Sequence, residues 1–167
     1  MAGSDATGSD GGLDTDRHDA DRRHAEHADV IIIGAGISGI DAAYRIREKN
    51  PDLTYLILER RERLGGTWDL FQYPGIRSDS DIFTLSFPWE PWKREEMIAD
   101  GGHIWQYLAD TAHKHGIDDH IRFNPLVQSA DWDWTTHTWT LRADRGGTAT
   151  VYTSGFVVFA SGYYDYD

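Results

Sequence analysis

The sequence predicts an α/β fold of the Rossmann-like type with an inserted β-meander, and three observations support this prediction. The β-branched run from Val30 to Ile33 is typical of a strand buried on both faces of a parallel sheet. Residues 37–49 have helical periodicity, and a second apolar run, 53–58, follows them. Between residues 121 and 160, short apolar runs alternate with turn signals, which indicates a β-rich part.

The remaining elements follow from local signals along the chain. Asn50-Pro51 ends the first helix, and residues 60–93 have little periodicity but many aromatic side chains, which argues against disorder. A second helix is predicted over Gly102 to His115, where Gly116 stops it. The predicted later strands are 121–127, 130–134, 138–143, 148–153 and 156–160.

Composition excludes several classes of function. The formal net charge of -12 argues against a nucleic-acid partner, and the absence of cysteine excludes disulfides and thiolate metal sites. No apolar run approaches the roughly 18 to 20 residues of a membrane span, and the N-terminus does not resemble a signal peptide. We therefore expect no nucleic acid or membrane partner, and a cytoplasmic location is compatible with the composition.

Residues 1–28 are predicted to be a disordered acidic leader, and residues 29–167 to be the ordered part. The leader is rich in Gly, Asp, Ser and Ala, so it cannot bury enough apolar surface to fold. Its His18, His24 and His27 form a weak metal-binding pattern, but solvated histidines are the favoured interpretation. No metal site is predicted.

The motif GAGISG, residues 34–39, predicts a nucleotide site because it lies between a buried strand and a helix. Gly34 permits the sharp turn, Gly36 lets the backbone approach a pyrophosphate, and Gly39 lets the helix pack closely on the strand. The helix N-terminus, with Ser38, offers N–H groups to the phosphates. Glu59, at the end of the second strand, is placed to accept hydrogen bonds from ribose hydroxyls.

The residues after Glu59 separate the candidate nucleotides. A carboxylate there repels a 2′-phosphate, so the first site suits FAD or NAD, not NADP. Gly65-Gly66 then lets the backbone lie against an extended ligand, which favours FAD. An NAD-binding or disulfide-reductase function is disfavoured, because the chain lacks cysteine and continues into a long aromatic loop.

With these residues in place, the chain resembles the flavin-containing and Baeyer–Villiger-type monooxygenases. The resemblance covers residues 29–167 and rests on VIIIGAGISGIDAA, LILERRERLGGTWDLFQYPGIRSDSD, FPWEPW, IRFNPLVQSADW and FASGYYDYD. It implies a three-layer FAD domain and an enzyme that uses FAD, NADPH and O2. The implied reaction is oxygenation of a ketone, or of a sulfur or nitrogen atom, through a C4a-peroxyflavin.

The resemblance also implies roles for individual residues. The GGTW block of the family lines the flavin, and the YPGIRSD loop borders the nicotinamide, where Asp79 would also position a catalytic arginine. Val127 would contact the adenine, and Ala160-Ser161-Gly162 matches the signature that closes the first half of the FAD domain. The implied FAD contacts are Thr67, Trp68, Asp69, Leu70, Asp79 and Val127, and the implied NADP-side residues are Arg77, Ser78 and Asp79.

Parts of the family pattern are absent from the 167 residues: the second glycine motif, which binds NADPH, the catalytic arginine and the C-terminal FAD segment. We therefore expect an N-terminal part of the FAD-binding domain, incomplete at its C-terminus and inactive as an isolated chain. The alternative is a truncated, non-catalytic remnant that binds flavin weakly or not at all.

Overall fold

A computed structural model describes residues 25–164, which form a mixed α/β fold around one six-stranded sheet. Most of the predicted leader, residues 1–24, lies outside the described residues, as do residues 165–167. The elements are β1 (Glu26–Ile33), α1 (Ile37–Lys49), β2 (Tyr55–Glu59), α2 (Thr67–Leu70), α3 (Ile82–Leu85), α4 (Gly101–Lys114), a 3-10 helix (Asp118–His120), β3 (Ile121–Phe123), β4 (Leu126–Asp133), β5 (Thr138–Arg145) and β6 (Thr148–Phe159).

The strand order is β3-β2-β1-β6-β5-β4. β1 pairs in parallel with β2 on one side and with β6 on the other, and β2 pairs in parallel with β3. β4, β5 and β6 form the predicted antiparallel meander. The Rossmann-like fold class is therefore confirmed, with β1 at the centre of the parallel part.

Residues 30–32 of β1 and all of β2 are buried on both faces, as the continuous apolar sequence of the first strand predicted. Ile32 and Ile57 pack with apolar side chains of α1 and α4 on one face. On the other face, Ile31 packs with Leu141 and Tyr152 of the meander. The molecule thus has three layers: helices, parallel strands and meander.

β6 connects the two parts of the sheet. Its first half pairs with β5, and residues 152–159 pair with β1. The sequence predicted two strands here, separated at Ser154-Gly155, but the structure has one. The Ser154 Oγ lies 3.0 Å from the carbonyl oxygen of Asp29 and 2.6 Å from that of Phe156, and its single proton can be donated to either, so this polar residue is satisfied inside the strand.

Other predicted boundaries also need correction. β1 begins at Glu26, not at Val30, because residues 26–28 pair with the overhanging part of β6. The single strand predicted over 121–127 is broken at Asn124, whose φ of 78° interrupts the extended backbone, and at Pro125. The helix predicted over 102–115 spans 101–114 and caps its first turn with Asp100.

The aromatic segment FPWEPW, residues 87–92, packs against both long helices. Trp89 stacks on Tyr44 of α1 with ring centroids 3.7 Å apart, and its Nε1 donates to Asp41 at 2.7 Å. Tyr107 of α4 accepts from the Phe87 N–H at 2.8 Å. We call residues 87–92 the aromatic clasp. Within residues 25–164, no helix is both long and apolar enough to cross a membrane.

Candidate functional site

The motif of residues 34–39, which we call the first glycine turn, joins the end of β1 to the start of α1. Gly34 has a φ of 107°, and its N–H donates to Leu58 of β2 at 2.8 Å. A Cβ at Gly39 would overlap the Gly34 carbonyl oxygen, so only glycine lets the helix approach this closely. The predicted roles of these two glycines match this geometry.

The N-terminus of α1 faces a cavity. Gly36 occupies the N-cap position and, without a side chain, cannot cover the N–H groups of the first helical turn. Gly36, Ile37 and Ser38 all line the cavity. Because the N-terminal end of a helix carries a partial positive charge, this wall of the cavity suits an anionic group.

Glu59 is held rigidly at the end of β2. The residue is 6% exposed, and its carboxylate accepts from the Ala35 N–H at 2.8 Å and from the Arg61 N–H at 3.0 Å. A carboxylate has about four acceptor sites, so two backbone donors leave capacity for a ligand's hydroxyl groups. The structure places this residue at the cavity wall beside the glycine turn, where the sequence predicted it.

The second glycine pair, Gly65-Gly66, lies against the first turn. The Gly65 N–H donates to the Ala35 carbonyl at 2.9 Å, and a Cβ on Gly66 would come within 2.9 Å of the Gly36 Cα. Arg61 Nη1 donates to the Gly66 carbonyl at 3.0 Å. The two glycine segments therefore lie side by side, and both line the cavity.

The cavity has a volume of about 810 Å³ and brings together most of the predicted residues. Arg60 and Arg61 also line the cavity. Their position directly after Glu59 could have predicted this from the sequence. Pro125, Leu126 and Phe159 line it without any local signal in the sequence. The predicted residues at its wall are Gly34, Gly36, Ser38, Glu59, Thr67, Trp68, Leu70, Val127, Ala160, Ser161 and Gly162.

The other predicted residues lie away from this wall. Arg77 forms an isolated antiparallel β-bridge with Asp100 through the backbone. Ser78 exchanges hydrogen bonds with Ala99, whose N–H donates to the Ser78 Oγ at 2.9 Å. Asp79 is exposed in the same loop. Asp69 directs its carboxylate to Arg63, with 2.6 Å between Oδ1 and Nη2.

Histidines and carboxylates of the described part of the chain do not gather into groups of three that could hold a metal ion. Of the three leader histidines, His18 and His24 lie outside the described residues. His27 Nδ1 lies 3.0 Å from the Thr153 hydroxyl.

Comparison with known proteins finds similar sequences and structures among monooxygenases. Residues 32–111 match the family model of the NAD(P)-binding Rossmann-like domain. The FAD-containing monooxygenase EthA of Mycobacterium tuberculosis is 51% identical over 142 residues, which are 85% of this chain and 29% of that protein. The putative FAD-containing monooxygenase MymA of the same species is 46% identical over 144 residues, again 85% of this chain and 29% of that protein.

Solved structures agree with these relatives. A steroid monooxygenase bound to NADP superposes with a TM-score of 0.74 at 33% identity, covering 81% of this chain and 26% of that one. A cyclohexanone monooxygenase from Rhodococcus sp. Phi1, bound to NADP+, gives a TM-score of 0.73 at 28% identity, covering 83% and 26%. The chain thus spans less than a third of the length of these proteins. The predicted resemblance to the flavin-containing and Baeyer–Villiger-type monooxygenases is confirmed as a similarity that extends over most of this chain.

Proposed function

We propose that this chain forms the FAD-binding part of an NADPH-dependent flavoprotein monooxygenase. The observation that supports the proposal most directly is the pair of glycine segments lying side by side, with Glu59 at one end of the same cavity. The cavity volume of about 810 Å³ falls within the range of ligand and cofactor sites. Sequence relatives named FAD-containing monooxygenases support the choice of FAD.

The residues present fit FAD in four respects. The N-terminus of α1 and the backbone of Gly36 would bind the pyrophosphate. The Glu59 carboxylate would accept from the ribose hydroxyls and would repel a 2′-phosphate. Val127 would contact the adenine. Gly65-Gly66, followed by Thr67, Trp68 and Leu70, would line the flavin side.

FAD, when bound there, would supply a redox centre that takes electrons from NADPH and transfers them to O2. In the complete enzyme, Arg77, Ser78 and Asp79 would border the nicotinamide of NADPH, and Asp79 would hold a catalytic arginine by a charge-assisted hydrogen bond. The arginine would stabilise negative charge as it develops during the reaction. The substrate class we propose is a ketone or a compound with an oxidisable sulfur or nitrogen atom.

The test is flavin retention. The 167-residue chain is mixed with FAD and passed through gel filtration, and the bound flavin is measured by absorbance. The Kd of the chain for FAD is measured separately by titration. We expect about one FAD per chain. Glu59→Gln should weaken binding roughly 10-fold or more, because a charge-assisted acceptor for the ribose is lost.

Glu48→Gln is the matched control, because Glu48 lies on α1 and pairs at the surface with Arg45 at 3.1 Å. Its Kd should equal that of the wild type. Elution of the wild-type chain without flavin would favour the alternative, a non-catalytic remnant. Equal affinity of Glu59→Gln and the wild type would place the flavin elsewhere.

A further inference from the structure

The second glycine pair is enclosed from both sides. A Cβ on Gly65 would lie 2.5 Å from Cδ1 of Trp105, a half-buried residue of α4, and a Cβ on Gly66 would lie 2.9 Å from the Gly36 Cα. Both glycines have positive φ, 122° and 55°. Glycine adopts positive φ without strain, so what defines this site is the close approach of Trp105 on one side and of the first glycine turn on the other.

Trp105 is itself fixed by residues that flank the pair. Its Nε1 donates to the Leu64 carbonyl at 2.9 Å, and the Arg63 guanidinium lies 4.5 Å from the centre of its ring. Arg63 also donates from Nε and Nη2 to the Asp69 carboxylate, at 2.7 and 2.6 Å. Asp69 is only 10% exposed at its side chain, so this ion pair is partly shielded from water.

We propose that Arg63, Asp69 and Trp105 form a brace that holds Gly65-Gly66 against the first glycine turn. The brace keeps the cavity beside these glycines, which we call the nucleotide cleft, preformed. These three are positioning residues, which act through the glycine backbone. The proposal rests on the proposed function for the identity of the nucleotide, but the enclosure of the glycine pair is a property of the chain itself. Without the brace, part of the binding free energy would be spent on ordering the pair.

The first test needs no cofactor. Amide hydrogen exchange of residues 64–70 is measured in the FAD-free chain for the wild type, Trp105→Phe, Trp105→Ala and Arg63→Gln. We expect the Gly65 amide to exchange roughly 10-fold faster in Trp105→Ala, since its bond to Ala35 opens locally. Trp105→Phe should fall between, because it keeps a ring beneath Arg63 but loses the indole N–H.

The second test is FAD affinity, followed by quenching of flavin fluorescence. We expect Kd to rise roughly three- to ten-fold in Trp105→Phe and in Arg63→Gln, and further in Trp105→Ala. Arg63→Lys should restore part of the loss, because it keeps the charge without the planar fork. The matched controls are Trp134→Phe, at an indole that is 81% exposed on the β4–β5 turn, and Arg45→Gln, which removes a surface ion pair.

The outcomes separate the two proposals. Faster exchange at Gly65 together with weaker FAD binding, at an unchanged free energy of global unfolding, supports the brace. Unchanged exchange in Trp105→Phe and Arg63→Gln overturns the brace even where the wild type binds FAD. A wild-type chain that does not bind FAD overturns the proposed function, and exchange alone then decides whether the brace exists. If Trp105→Ala does not fold, the other two variants carry the test.

Discussion

At the scale of single residues, the glycines of one motif have different physical tasks. A Cβ at Gly39 would overlap the Gly34 carbonyl oxygen, whereas a Cβ at Gly36 would lie 3.5 Å from the Gly66 Cα, an ordinary contact. Gly36 also has a φ of -81°, which alanine adopts freely. Gly39 therefore serves packing, and Gly36 leaves the cavity wall uncovered.

This difference predicts opposite phenotypes for two alanine variants. Gly39→Ala should lower the free energy of unfolding by about 2 kcal/mol or more, because α1 must move away from β1. Gly36→Ala should change it by less than about 1 kcal/mol, yet weaken FAD binding because its methyl group narrows the cleft. Urea unfolding and FAD titration measure the two effects. Identical behaviour of both variants in both assays would contradict these roles.

Sequence reasoning located Glu59 but not Trp105, and the reason is distance along the chain. Glu59 follows a recognisable glycine motif at a characteristic spacing, so its neighbourhood could be predicted. The hydrogen bond from Trp105 to Leu64 joins residues 41 positions apart, and its partner is a backbone carbonyl. An aromatic residue on a helix has no local signal for such a contact, so helical periodicity could not identify it.

At the scale of elements, the aromatic clasp is fixed to the end of α4 by one carboxylate. Glu90 accepts from Lys114 Nζ at 2.6 Å and from His115 Nε2 at 3.1 Å, and Lys93 Nζ lies 3.3 Å away. The Glu90 side chain is 11% exposed. These donors, Lys114 foremost, lower the pKa of Glu90 from 4.5 to about 2.

This shift predicts acid sensitivity of the clasp. Because the folded-state pKa lies below the ordinary value, ionised Glu90 stabilises the fold fully above pH 4.5, and this contribution is lost as the pH falls towards 2. The two lysines are largely exposed, so screening limits the effect to about 1 kcal/mol or less. Urea unfolding gives the free energy of unfolding at about pH 6 and at about pH 3. The decrease in this free energy between the two pH values should be smaller for Glu90→Gln than for the wild type. Equal differences would contradict this assignment.

The first strand, helix and strand were predicted to within about four residues, because their hydrophobic patterns are local. The later strands were less well predicted. The sequence predicted a break in β6 at Ser154-Gly155, because a polar residue and a glycine interrupt the apolar pattern there. The structure has no break, since the Ser154 hydroxyl has a hydrogen-bond partner in the Asp29 carbonyl oxygen, 125 residues earlier, which local sequence could not reveal. Conversely, the break at Asn124 and Pro125 was missed inside an apolar run, although proline is a recognised interruption of strands.

At the scale of the whole molecule, the meander is part of the same core as the parallel strands. Leu141 of β5 is fully buried and packs with Ile31 of β1 and Leu58 of β2. The meander and the parallel part also share β6. A substitution that loosens the packing of the meander should therefore also destabilise the parallel strands beside the nucleotide cleft.

Leu141→Ala tests this coupling. We expect a loss of about 2–5 kcal/mol in the free energy of unfolding, through lost burial and a residual cavity. Unfolding should remain a single transition, with coincident curves from tryptophan fluorescence and from far-UV circular dichroism. Two separated transitions would mean that the meander unfolds on its own. Thr136→Ala, at an exposed position of the β4–β5 turn, is the control and should leave the curves unchanged.

The position of β6 also sets a constraint on synthesis. One edge of β1 can pair with β2 soon after both have left the ribosome, because the two strands are close in sequence. Its other edge pairs with residues 152–159, which are synthesised much later. The side-chain hydrogen bond between His27 and Thr153 likewise joins residues 126 positions apart. Until then, the central strand of the sheet has an open edge that can pair with another nascent chain. The interval between translation of β1 and of β6 is therefore the period in which this chain is most exposed to misassembly. Slower elongation between those two strands would lengthen it.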